Sequence, residues 1–153
     1  MKWKHPPIIK MYEALGSVAD DRVKIFGNSA KVFSSSGNKF YDVIYNPDTQ
    51  SIMTNDNGSY WKGYLGYPAI AFLMKTGVVS YDKNVAGLLK SIAWKDINQK
   101  FKNDFDKTLE YILSSKSDKE KRDLNNLVTK IDTEIKDLKL NYLGKKTLPP
   151  SGY

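Results

Sequence analysis

The chain has 153 residues, no cysteine, 24 Lys/Arg against 17 Asp/Glu, a formal charge of +7 and a pI of about 9.4. These values exclude disulfides and a thiolate metal site, and no apolar run approaches the roughly 18 residues of a membrane span. What remains is one domain, or a small domain with a helical appendage, able to bury a core without covalent staples.

The excess charge is spread. Residues 1–80 carry 9 basic and 6 acidic side chains, and residues 81–153 carry 15 and 11, so neither end is a charged tail. Arg22 and Arg122 are the two arginines among the 24 basic residues. Readers of base edges lean on the bidentate arginine fork, so the lysine bias points to non-specific phosphate contact or to a solubilising surface.

Pro6-Pro7 can open a helix, and Ile8, Met11, Tyr12, Leu15 and Val18 follow on one face of it. Asp20-Asp21 ends that helix; a metal pair is the alternative reading. Residues 22–34 alternate as a hairpin turning at Gly27-Asn28, and Ser34 to Asn38 is a loop by composition. Residues 40–45 and 51–54 read as two more strands, separated by a turn at Asn46-Pro47-Asp48. After Asn55-Asp56-Asn57-Gly58 comes an aromatic, glycine-broken, cationic stretch, Tyr60-Trp61-Lys62-Gly63-Tyr64-Leu65-Gly66-Tyr67. Pro68 opens a short helix that is apolar nearly all round, with Ile70, Phe72 and Leu73 expected in the core. Asp82 is placed to cap a helix carrying Val85, Leu88 and Leu89.

From Trp94 the pattern is helical only. Ile97, Phe101, Phe105, Leu109 and Ile112 predict one helix over residues 95–113. Ser117-Asp118-Lys119-Glu120 has the form of a capping box. Leu124, Val128, Ile131, Ile135, Leu138 and Tyr142 then recur at spacings 4, 3, 4, 3, 4, a heptad seam on a second helix over residues 118–143. Two helices with a short connection fold back as an antiparallel, coiled-coil-like hairpin. The expected architecture is therefore α+β: residues 1–92 form a body with a small antiparallel sheet and a ββα unit packed on helices. Residues 93–145 form the hairpin, and residues 146–153 a disordered tail.

Chemistry is mostly missing. His5 is the sole histidine and sits near the chain start, so histidine-based catalysis lacks its base. There is no Walker loop, no Gly-x-Gly-x-x-Gly and no Cys/His cluster. Asp104 and Asp106 lie two apart on a helix and share no face. No metal and no cofactor are expected, and the expectation is a protein that binds rather than catalyses. The start of the chain has no apolar leader stretch, and a cysteine-free sequence suits a reducing cytosol or a thermophile, so the expected location is cytoplasmic, with no membrane partner.

Residues 30–74 resemble the SWIM zinc-finger domain. Ser34-Ser35-Ser36-Gly37 occupies its turn, Tyr41-Asp42-Val43 its Tyr-x-Val strand, and Gly66-Tyr67-Pro68-Ala69-Ile70-Ala71-Phe72-Leu73 its apolar helix. The family's Cys-x-Cys and Cys-x-His slots fall on Ile52-Met53-Thr54 and Gly66-Tyr67-Pro68, none of which ligates zinc. The resemblance implies a metal-free ββα unit, clamped by packing of Tyr60, Trp61, Tyr64 and Tyr67, in a family that mediates contacts with DNA or DNA-processing proteins. It transfers no site residue, because the family's functional residues are the missing ligands.

Two functions fit these observations. In the first, Lys39, Tyr60, Trp61, Lys62 and Tyr64 form a nucleic-acid interface, lysines holding phosphates and aromatics stacking on bases. Against it stands the ordinary place of aromatics in a core. In the second, Leu124, Val128, Ile131, Ile135 and Leu138 form an oligomerisation seam that joins two copies or a protein partner. Against that stands closure of the seam within the chain.

Overall fold

A computed structural model describes residues 1–151. In chain order the elements are α1 (Ile9–Ala19), β1 (Val23–Phe26), β2 (Ser29–Phe33), β3 (Phe40–Asn46), β4 (Ser51–Thr54), α2 (Tyr67–Lys75), α3 (Lys83–Ala86), α4 (Trp94–Lys100), α5 (Phe105–Leu113), α6 (Asp118–Leu138) and β5 (Asn141–Tyr142). A π-helical turn, Gly58–Lys62, joins β4 to α2. The fold is α+β.

Strands β1 to β4 form an antiparallel meander whose alternation follows the sequence. Ala30, Val32, Tyr41, Val43 and Tyr45 point inward, with Ala30 opposite Val43 and Val32 opposite Tyr41. Gly27 takes a left-handed φ of 61° in the two-residue β1–β2 turn. Helices α1 and α2 pack on each other and α2 on the inner face of the sheet. Ile70, Phe72 and Leu73 are buried as expected, along with every other residue of α2 from Pro68 to Met74.

The sheet is not purely antiparallel. Past α6 the chain returns as β5, which pairs in parallel with β4 through Ser51–Asn141 and Ile52–Tyr142. The first residues lie alongside: the Trp3 amide donates to the Leu140 carbonyl and the Trp3 indole to Ile52 O at 2.8 Å. In the segment expected as a tail, Lys146 Nζ donates to Tyr60 O at 3.2 Å. Residues 152 and 153 of the expected tail lie outside the described residues.

One hydrophobic core runs across the expected boundary at residue 92. Trp94, Ile112, Leu124, Val128, Ile131 and Ile135 belong to the same core as Leu15, Val32 and Phe72. Helix α6 lies on α1 and α3, so the heptad seam is covered by the protein's own body. Ser117 and Glu120 form the capping box in both directions, with Glu120 N to Ser117 Oγ at 3.1 Å and Ser117 N to Glu120 Oε1 at 2.9 Å. The single helix expected over residues 95–113 is two. Lys102 and Asn103 adopt left-handed φ of 54° and 62°, and Asp104 caps α5 by accepting from Lys107 N. Asn tolerates that conformation and Asp offers the backbone a local partner, so the helix restarts although the apolar spacing runs through.

Candidate functional site

Two features stand apart from the core. The first is a lysine surface made by chain closure. The Lys2 ammonium donates to Lys139 O at the end of α6, where carbonyls without helical partners attract a cation. Lys2, Lys4, Lys136 and Lys139 line one groove of about 160 Å³. The Lys4 amide donates to Gly63 O, and Lys146 reaches Tyr60 O on the same turn, beside Lys62. All six lysines are exposed, and none is ion-paired to a carboxylate among the described residues. Trp61 stands out of this surface at 67% exposure, its ring braced edge-on by Tyr60 at 4.7 Å between centroids.

The second feature is a polar cavity of about 250 Å³ between α1, the β2–β3 turn and α4. Lys10 and Glu13 lie one turn apart on α1 and pair at 2.8 Å. Glu13 Oε1 also accepts from Asn98 Nδ2 at 2.7 Å, which ties α4 to α1. Burial pulls Lys10 down, but the charges of Glu13, Tyr64 and Asp56 outweigh it and hold the ammonium above its usual range. Burial, reinforced by the charges of Asp56 and Glu13, pushes the Tyr41 phenol up to about 12. Burial also raises Tyr67, whose ring meets Tyr41 edge-on. Lys95 on α4 is lowered by burial and by the neighbouring Lys39 ammonium.

Asp56 joins the two features. Its carboxylate accepts from Thr54 Oγ1 at 3.0 Å, Ser59 Oγ at 2.7 Å and Ser59 N at 3.1 Å, and Ser59 Oγ accepts from Gly66 N. Burial raises this carboxyl, with the Ser59 hydrogen bonds opposing. The network fastens the end of β4 to the start of α2 through the π-helical turn. These are the segments on which the sequence resemblance to SWIM domains places its ligand slots. The clamp is therefore a buried carboxylate with hydroxyl and amide donors, not the expected packing of four aromatics, of which Trp61 is largely in solvent.

The five expected nucleic-acid residues do not form one platform. Tyr60, Trp61 and Lys62 sit together on the lysine surface. Tyr64 turns inward against Gly58, where a Cβ would fall on its ring, and burial raises its phenol. Lys39 lies on the cavity side, its ammonium 5.8 Å from the Tyr41 ring centre. Of the expected oligomerisation residues, Leu124, Val128, Ile131 and Ile135 are buried within the chain and Leu138 is half-buried, so they offer no free seam. Sequence reading missed Lys10, Glu13, Arg22, Asp56 and Asn98. Lys10 and Glu13 fall off the apolar stripe read for α1 and carried no local signal.

No curated protein and no solved structure matches the chain. A family model matches residues 3–141, which span the cavity, the Asp56 clamp, Trp61 and all of the lysine surface except Lys2 and Lys146; the chain therefore belongs to the family described as Uncharacterised conserved protein UCP014422.

Proposed function

We propose that this protein is a non-enzymatic module that binds single-stranded nucleic acid without sequence preference, through Trp61 and the lysines around it. One observation carries the reading: closure of the two chain ends gathers Lys2, Lys4, Lys62, Lys136, Lys139 and Lys146, with no ion pair to a carboxylate among the described residues, around an outward tryptophan. Lysines supply counterion-releasing phosphate contacts, and an exposed indole stacks on any unpaired base. A duplex hides its base faces, so the indole favours single strands. The lysine bias and the resemblance to SWIM domains support the same partner class.

The test is a fluorescence titration with oligothymidylate. Trp3 and Trp94 are buried, so quenching reports Trp61. Each phosphate contact should add about −0.7 to the slope of log affinity against log salt. Trp61→Ala should weaken binding about 5- to 150-fold, the equivalent of about 1–3 kcal/mol of stacking. Lys62→Gln and Lys146→Gln should each flatten the salt slope by about 0.7. Absence of binding at low salt refutes the reading. Binding to anionic phospholipid vesicles with none to the oligonucleotide reassigns the surface to a membrane.

A further inference from the structure

The cavity under α4 has more donors than its own residues use. Lys10, Arg22 and Lys95 line it with Glu13 and Asp56, and Asp20 faces Arg22 from outside the lining. Both carboxylates are already engaged: Glu13 by Lys10 and Asn98, Asp56 by Thr54 and Ser59. Arg22 is different. Its Nη1 donates to Phe33 O at 2.7 Å and its Nε faces Asp20 at 3.6 Å, while Nη2 is buried and makes no hydrogen bond among the described residues. A buried guanidinium N–H without an acceptor is costly, and a bound acceptor removes that cost. Across the cavity Asn98 is 8% exposed. Its Nδ2 is committed to Glu13, which leaves Oδ1 as a buried acceptor with no donor among the described residues.

We propose that this cavity binds a small oxyanion, a carboxylate or a phosphate, that also carries an O–H or N–H group. The anion sits on Arg22 Nη2, and the ligand's donor meets Asn98 Oδ1. The arginine fork matches planar carboxylate and tetrahedral phosphate oxygens alike. At about 250 Å³ the space is below the range of drug-sized pockets, so the ligand is small. Helix α4 lines the cavity through Trp94, Lys95 and Asn98 and is held by Asn98 to Glu13 and by Lys95 N to Ser35 Oγ at 3.2 Å. None of these residues belongs to the lysine surface, so this site stands or falls separately from nucleic-acid binding.

The experiment is an amide-resonance titration of the full chain with acetate, glycolate and inorganic phosphate in turn. Saturable shifts at Arg22, Ser35, Lys95 and Asn98 are expected with at least one probe. Glycolate should bind tighter than acetate, because its hydroxyl reaches Asn98 Oδ1; the phosphate arm decides which oxyanion the site prefers. Arg22→Gln should weaken binding about tenfold or more. Should that variant fail to fold, Gln99→Glu decides: Gln99 is exposed at the cavity mouth, and a carboxylate there should weaken anion binding about threefold with the fold intact. The proposal is overturned if no probe shifts the cavity amides, if shifts gather at Trp61 and Lys62 instead, or if Gln99→Glu leaves the affinity unchanged.

Discussion

Replacing Gly66 with alanine tests the Asp56 clamp directly. Gly66 has φ −78° and ψ 164°, a conformation any residue adopts, so alanine carries no backbone strain there. In such a place Gly→Ala ordinarily stabilises by about 0.4–1 kcal/mol through the unfolded chain. Here the new Cβ would fall on the Asp56 carboxylate. The backbone has little room to retreat, because Gly66 precedes the first turn of α2 and donates its own N–H to Ser59 Oγ. The carboxylate must swing away from some of its three donors, and each such bond contributes about 1.5–3 kcal/mol. The Cβ would meet both carboxylate oxygens, so two bonds are lost, and less the small entropic gain the cost is about 2–5.5 kcal/mol. Urea unfolding is the assay; with a slope of about 1–3 kcal/mol per molar, the midpoint should fall by about 1 M or more. In an Asp56→Ala background the obstruction is gone, and Gly66→Ala should become neutral or stabilising. A neutral single mutant, or equal costs in both backgrounds, refutes the argument.

Two further outcomes follow from buried groups. Ile131 is fully buried on the inner face of α6, so Ile131→Lys should cost more than about 3 kcal/mol, and wild-type melting should not move over a roughly 100-fold range of protein concentration. Melting that rises with concentration would return the heptad seam to a dimer. Tyr41 should ionise near pH 12 rather than near 10 in a spectrophotometric titration. Since the unfolded chain loses that proton first, the stability tied to it is complete below about pH 10 and is lost as the pH rises towards about 12. Tyr41→Phe should flatten that alkaline limb, and an unchanged limb would show that another group sets it.

The strands and α2 were legible because their signals are local. Alternation at Ala30, Val32, Tyr41 and Val43 marks a face, and the unbroken apolar run of α2 marks a central helix. The capping box at Ser117 was equally local. The break at residues 101–104 was masked by spacing, since Phe101 and Phe105 keep the helical period across it. Only the Asn103-Asp104 pair hinted at the restart. β5 is two residues long and has no period to detect. The cavity could not be read at all: Lys10, Arg22, Asp56 and Asn98 come from four separated segments, and Asp56 stands in an Asn-Asp-Asn-Gly run whose composition says turn. Tyr60, Trp61 and Lys62 stood out as candidates because they are adjacent, whereas Lys2, Lys4, Lys139 and Lys146 join them only when the chain ends meet.

That meeting of chain ends has a consequence for salt. Like charges brought together in the folded state repel, and the unfolded chain relaxes them apart, so the lysine surface opposes folding at low ionic strength. Added salt screens the repulsion, with a Debye length of about 10 Å at 0.1 M and about 3 Å at 1 M. The same salt competes with phosphate contacts and weakens nucleic-acid binding. One set of lysines thus predicts opposite responses: the free protein should melt higher as sodium chloride is raised, while its oligonucleotide affinity falls. If the repulsion amounts to about 1 kcal/mol, the melting temperature should rise by about 2–4 °C for a domain of this size. Ordinary salting effects are separated by a triple variant, Lys4→Gln, Lys62→Gln and Lys146→Gln. It should lose most of the salt-dependent gain in melting and most of the salt slope of binding together. A triple variant that keeps the wild-type melting response would mean that these lysines do not feel one another. The gathered charge that carries the nucleic-acid reading would then be absent in solution.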